Sequence, residues 1–156
     1  MAQVPESGSM IVFSLVAALL AGALITVQTG STARLKDAFG AALPAVVVSS
    51  LIGIVALVVA MAVTRMPPPP LDRAVAAPWS AWLGGILGAI YAVTVVVVAR
   101  ELGAATLTAL VITGQLVCSV ALDHLGLLGF ELHAAGLGRL IGCLLLLAGT
   151  LLIWKF

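Results

Sequence analysis

Five successive apolar runs constrain this chain more than any other feature: Met10 to Thr29, Ala41 to Thr64, Trp79 to Ala99, Ala104 to Leu122 and Ala134 to Trp154. Each is long enough to cross a bilayer, since twenty residues at about 1.5 Å per residue reach roughly the 30 Å of a hydrocarbon core. One such run could hide inside a soluble protein. Five cannot hide in 156 residues, because a chain that small has too much surface for its volume. Charged residues make up 8% of the chain, against roughly a quarter in a soluble domain, so no water-facing surface can be built around these runs. Lipid is the solvent this sequence requires. In lipid every backbone polar group must be satisfied internally, and the runs are about twice the length of a barrel strand, so each span is expected to be an α-helix.

The expected fold is an all-α integral membrane protein with an N-terminal extension, 1–9, ahead of a single five-helix domain, 10–156. Residues 1–9 carry no Lys or Arg and therefore lack the positive start of a secretory signal peptide, so the first run is expected to be retained. The first span should end in a polar turn at 31–37. Pro44 falls in the first turn of the second span, where a missing N–H is tolerated. Pro67 to Pro70 can hold only an extended polyproline II shape, which makes 65–78 the clearest linker. Trp79 and Trp82 suit the headgroup level at the start of the third span. Arg100-Glu101-Leu102-Gly103 leaves so little loop that the third and fourth spans should form a tight antiparallel hairpin. Cys118 and Cys143 both lie in apolar runs and read as packing residues rather than a disulfide.

Charge sets orientation and removes one function class. The formal charge of +1 and the dispersed Lys and Arg give no basic patch for nucleic acid. One side of the expected topology holds Arg34, Lys36, Arg100 and Lys155, and the other Arg65 and Arg73, with Arg139 added if its span is counted. A bias this small is compatible with insertion in both orientations, and an antiparallel dimer of one sequence would build the inverted repeat that many transporters carry in one chain.

Small residues recur every four positions at Ala18, Gly22 and Thr26 on the first span and at Gly84, Gly88 and Ala92 on the third. Gly138, Gly142 and Gly149 share one face of the fifth, and Gly114 precedes the amide of the fourth. Such spacing allows close approach of helix backbones, either within the chain or between two copies. On the fourth span Thr108, Gln115, Ser119 and Asp123 fall within about one quadrant of the helix and form a polar stripe. An amide such as Gln115 at membrane depth marks either a buried polar contact or a substrate path. Gln28, Tyr91 and Thr94 read in the same two ways. Arg139 lies inside the start of the fifth span, within reach of Asp123, where the two can pair structurally or serve as an end gate with His124. Asp123, His124, Glu131 and His133 match no compact metal-ligand motif. No nucleophile elbow, paired deep carboxylates or phosphate-cradling glycine loop is present, so neither an enzyme nor a cofactor protein is expected.

Gly84-Gly85-x-x-Gly88-Ala89-x-Tyr91, Leu102-Gly103-Ala104, Gly114-Gln115-x-x-x-Ser119, Asp123-His124-x-Gly126 and Arg139-x-x-Gly142 together resemble the YdcZ-type family of the drug/metabolite transporter superfamily. The resemblance covers essentially everything after Met10, with Gln28 followed by Arg34-Leu35 fitting the end of the first span. Thr32 stands where the family pattern has Asn, and Arg100 where it has Pro. The resemblance implies a five-helix half-transporter in the inner membrane, working as an antiparallel homodimer or with a paired homologue. Relatives in the wider superfamily couple export to protons through a carboxylate on the first helix; here no Asp or Glu occurs between Glu6 and Asp37. The resulting expectation is a secondary transporter for a polar or cationic small metabolite. Gln28, Tyr91, Thr94, Thr108, Gln115 and Ser119 would line its path, with Asp123, His124 and Arg139 at one end. The alternatives are a passive pore and a non-transporting subunit of a larger membrane complex.

Overall fold

A computed structural model of the chain describes residues 8–126, 133 and 136–156. Among these, all regular structure is helical: α1 (Gly8–Phe39), α2 (Ala42–Val63), a short α3 (Leu71–Ala76), α4 (Trp79–Leu125) and α5 (Leu137–Lys155). Four of the helices, α1, α2, α4 and α5, are long and apolar enough to cross a membrane. They are apolar around their whole circumference, as helices solvated by lipid are. Phe13 and Leu19 on α1, for example, are 75% and 76% exposed in the isolated chain.

α2 matches its expected span to within a residue at each end. It closes in a Schellman arrangement, with Met66 N–H donating to the Met61 carbonyl at 2.9 Å and Arg65 N–H to the Ala62 carbonyl at 3.2 Å. Arg65 occupies the left-handed position of that motif with φ 54°. Met66 to Pro70 is non-helical, as the proline run dictates, and Pro70 at φ −59° and ψ 133° delivers the chain into α3.

Two boundaries differ from the sequence expectation. The polar turn placed at 31–37 does not exist: α1 runs straight through Arg34, Leu35 and Lys36 and stops at Phe39. Arg, Leu and Lys are good helix formers, so polarity there marks a change of surroundings and not the end of the helix. The helix stops where Gly40 adopts φ 72°. The turn expected at 100–103 narrows to one residue: α4 is two helices, 79–102 and 104–125, that meet at Gly103, whose φ 73° and ψ 164° are non-helical.

The described residues divide into two compact units, 1–97 and 98–156. In the first unit α1 packs on α2, and the buried residues are Thr32, Ala33, Ala45, Val46, Val95 and Val96. In the second the buried residues are Leu107, Thr113 and Thr150. The two cysteines are free thiols, Cys118 exposed and Cys143 half-buried.

The glycine stripes do not make the close intrachain contacts that their spacing allows. Within the first unit no neighbour lies within 4 Å of where a Cβ would stand at Gly22, Gly84 or Gly88, and within the second the same holds at Gly114, Gly138 and Gly142. Absence of a side chain permits close approach but supplies no attraction, so these faces stay open in the single chain.

Candidate substrate cavity and the polar pairs

Three helical stripes enclose an open-sided cavity of about 310 Å³ in the first unit. α1 contributes Ile25, Gln28, Thr29 and Thr32, spaced i, i+3, i+4 and i+7; α2 contributes Val46, Ser49 and Ser50; α4 contributes Gly88, Tyr91, Ala92, Val95 and Val96. Each set is one face of a helix, which is why residues three and four apart meet the same space. The volume is at the lower end of small-ligand pockets, and the lining combines an apolar floor with a few polar groups, the usual composition of such sites. Gly88, read from sequence as a packing residue, lies in the cavity wall.

Hydroxyls tie the wall together. Thr32 Oγ1 donates to the Gln28 carbonyl at 3.0 Å, one turn back on α1, and lies 3.0 Å from Ser49 Oγ on α2. Thr29 Oγ1 donates to the Ile25 carbonyl at 2.9 Å. One turn beyond Thr32, Lys36 Nζ donates to the carbonyls of Val97 at 3.0 Å and Val96 at 3.4 Å on α4. Lys36 thus bridges α1 to the backbone of the very helix that supplies Tyr91. Sequence reasoning used Lys36 only as a charge to orient the chain and read Thr32 only as a departure from a pattern. The available signal was the spacing Gln28, Thr32, Lys36, which becomes one face once the segment is known to be helical. Ser49 and Ser50, adjacent on an otherwise apolar span, were also overlooked.

Of the residues expected to line a path, Gln28 and Tyr91 meet at this cavity. Thr94 does not: it is exposed and donates to the Ile90 carbonyl of its own helix at 2.8 Å. Thr108, Gln115 and Ser119 belong to the second unit, where Thr108 is half-buried and the other two are exposed. The buried hydroxyl of that unit is a different one. Thr113 Oγ1 lies 2.7 Å from Thr150 Oγ1, Thr113 donates to the Ala109 carbonyl at 2.8 Å, and Thr150 reaches the same carbonyl at 3.3 Å. This shared knot joins the second half of α4 to α5.

At one end of the second unit Arg139 Nη1 donates to Asp123 Oδ2 at 3.1 Å, and His133 N–H donates to the Asp123 carbonyl at 2.9 Å. His124 follows in the last turn of α4. Glu131 lies outside the described residues. The Arg139 and Asp123 side chains are 40% and 29% exposed in the isolated chain, and if that exposure is to water at the membrane edge the coupling is small, about 0–1 kcal/mol. A double-mutant cycle of Asp123→Asn and Arg139→Gln on thermal stability should return a coupling inside that range. A clearly larger value would mean the pair is desolvated in the membrane-embedded protein.

A family model described as "Putative inner membrane exporter, YdcZ" matches residues 13–152. No curated protein and no solved structure matches the chain. An exporter family is a transport class and not an enzyme class, and the match spans nearly all of the apolar helices described above. The chain is accordingly a multi-pass inner-membrane transporter and belongs to the YdcZ family.

Proposed function

We propose that this protein exports a polar or cationic small metabolite by alternating access, as half of an antiparallel pair formed with a second copy or a homologue. The observation that carries the reading is the cavity of the first unit: Gln28, Thr32, Ser49, Ser50 and Tyr91 converge on one space from three helices that otherwise face lipid. Polar side chains at membrane depth are costly unless they pair or face water, and a carrier requires such a water-accessible path. The break at Gly103 lets the chain turn back, so that 79–102 and 104–125 serve as separate crossings of one five-helix domain. An odd number of crossings in two orientations supplies the inverted repeat. Thr108, Gln115 and Ser119, with Asp123, His124 and Arg139 as an end gate, would complete the path on the second unit.

In liposomes, purified protein should show saturable flux of a compound first found by thermal-shift screening of amines, amino acids, sugars and guanidinium compounds. Flux should fall at least tenfold in Gln28→Ala while the folded yield stays constant. Unchanged flux removes Gln28 and this cavity from the path, and unitary current steps in place of saturation would make the protein a pore. Single cysteines at 37 and 72 in a cysteine-free background should each label from both sides of intact cells. One-sided labelling would end the homodimer form of the proposal and leave a paired homologue as the second half.

A further inference from the structure

The cavity has no charged residue among the described residues that line it, and this limits what it can hold. We propose that it takes an uncharged solute bearing both hydrogen-bond donors and acceptors, of the amide or polyol kind, and selects against cations. The proposal rests on reading this cavity as the transport site and narrows the substrate class.

Counting hydrogens gives the first argument. A hydroxyl carries one hydrogen and two lone pairs. With the Thr29 hydrogen on the Ile25 carbonyl and the Thr32 hydrogen on the Gln28 carbonyl, the 3.0 Å contact between Thr32 and Ser49 is satisfied by Ser49 as donor, and we assign it so. Thr29, Thr32 and Ser49 therefore face the cavity as acceptors. The Gln28 amide and the Ser50 and Tyr91 hydroxyls can donate as well as accept. A ligand that satisfies both groups carries N–H or O–H donors together with oxygen acceptors.

Charge gives the second. An ammonium or guanidinium ion could satisfy the three acceptors but would bring an ionic charge to a wall with no carboxylate, and an uncompensated charge at membrane depth is expensive. Beyond these neutral acceptors the Tyr91 ring can also attract a cation, but dipoles and a single ring do not replace a full counter-charge. A charged group engaged with the wall has the wrong sign for a cation. Lys36 Nζ is held on the carbonyl of Val96, itself a lining residue, at 3.4 Å. An anion is disfavoured for a different reason: the Lys36 ammonium is already directed at two backbone carbonyls, and the wall opposite presents oxygen lone pairs.

The test uses the full chain in detergent with probe sets in which one skeleton appears in neutral, cationic and anionic form: nicotinamide, its N-methylpyridinium cation 1-methylnicotinamide and nicotinate as one set, propionamide, propylammonium and propionate as another. Thermal shifts titrated to saturation rank affinities. The expected result is that an amide binds at least tenfold more tightly than its cationic and anionic counterparts, and that Gln28→Ala weakens it at least tenfold. In Lys36→Gln, which keeps a donor for the carbonyls but removes the charge, ammonium binding should strengthen several-fold while amide binding holds. Gln28-dependent binding of an ammonium at or above its amide overturns the charge selectivity and leaves the transport reading of the cavity standing. Binding of no probe, or binding indifferent to Gln28, overturns both. Ammonium binding unchanged in Lys36→Gln removes the lysine from the explanation and with it the second argument.

Discussion

Replacing Gly103 by valine is expected to lower the midpoint of thermal unfolding in detergent by about 2–12 °C, from a strain of about 1–3 kcal/mol and a shift of about 2–4 °C per kcal/mol in a protein of this size. Gly103 has φ 73° and ψ 164°, a region of backbone space that side chains other than hydrogen do not adopt without strain. Crowding is not the cause, since within its unit nothing lies within 4 Å of a Cβ built there. The variant must either hold the strain or abandon the break. Abandoning it makes α4 continuous, and 47 residues at about 1.5 Å each give about 70 Å, more than twice the ~30 Å that lipid can cover. Gly85→Ala is the control. Gly85 is helical with equal space around it, so alanine there should leave stability unchanged or raise it by about 0.5–1 kcal/mol. A Gly103→Val protein that melts with the wild type would show that the chain does not need a break at this residue.

The second large effect is expected at the Thr113–Thr150 knot, and it should be asymmetric. Both residues are buried, at 8% and 4% exposure, and both converge on the Ala109 carbonyl. Thr113 makes the shorter contact to that carbonyl, 2.8 Å against 3.3 Å for Thr150, which assigns its hydrogen to its own helix and leaves Thr150 as the donor that ties α5 to α4. Thr150→Val removes that donor and should cost about 0.6–1.7 kcal/mol, the range of hydrogen bonds between membrane helices. Thr113→Val should cost less, because Thr150 can still donate to the Ala109 carbonyl, which it already reaches at 3.3 Å. The double variant should be less destabilised than the sum of the singles, since the two share a partner. Additive costs, or the larger loss at Thr113, would contradict this assignment of donors.

Much of the fold was legible because lipid leaves the chain few options. A run of twenty apolar residues has only the helix available to it, and a proline run cannot be helical, so α2, its end and the linker after it followed directly from residue types. The two displaced boundaries have one origin: Arg34, Lys36 and Asp37, like Arg100 and Glu101, read as turn residues because they are polar. Polarity reports where a segment meets water, whereas helix continuation is decided by propensity and by φ, and in these two segments the helix breaks at Gly40 and Gly103. Open space beside the glycine stripes is a permission that only a neighbouring helix can use.

The candidate site was legible one helix at a time. Residues on one helix that share a face follow from a period of 3.6, which sufficed to single out Gln28, Tyr91 and the stripe of Thr108, Gln115 and Ser119. Which faces of different helices meet depends on the rotation and depth of each helix, and an apolar circumference carries almost no record of either. That is why Ser49 and Thr32, a Lys36 engaged with α4 carbonyls, and the Thr113–Thr150 knot emerged only from the tertiary structure. The sequence by itself determined the solvent, the helical class and the family, each of which depends on composition and local order along the chain. The tertiary structure alone decided which few polar groups come together, because that choice is made by contacts between residues far apart in sequence.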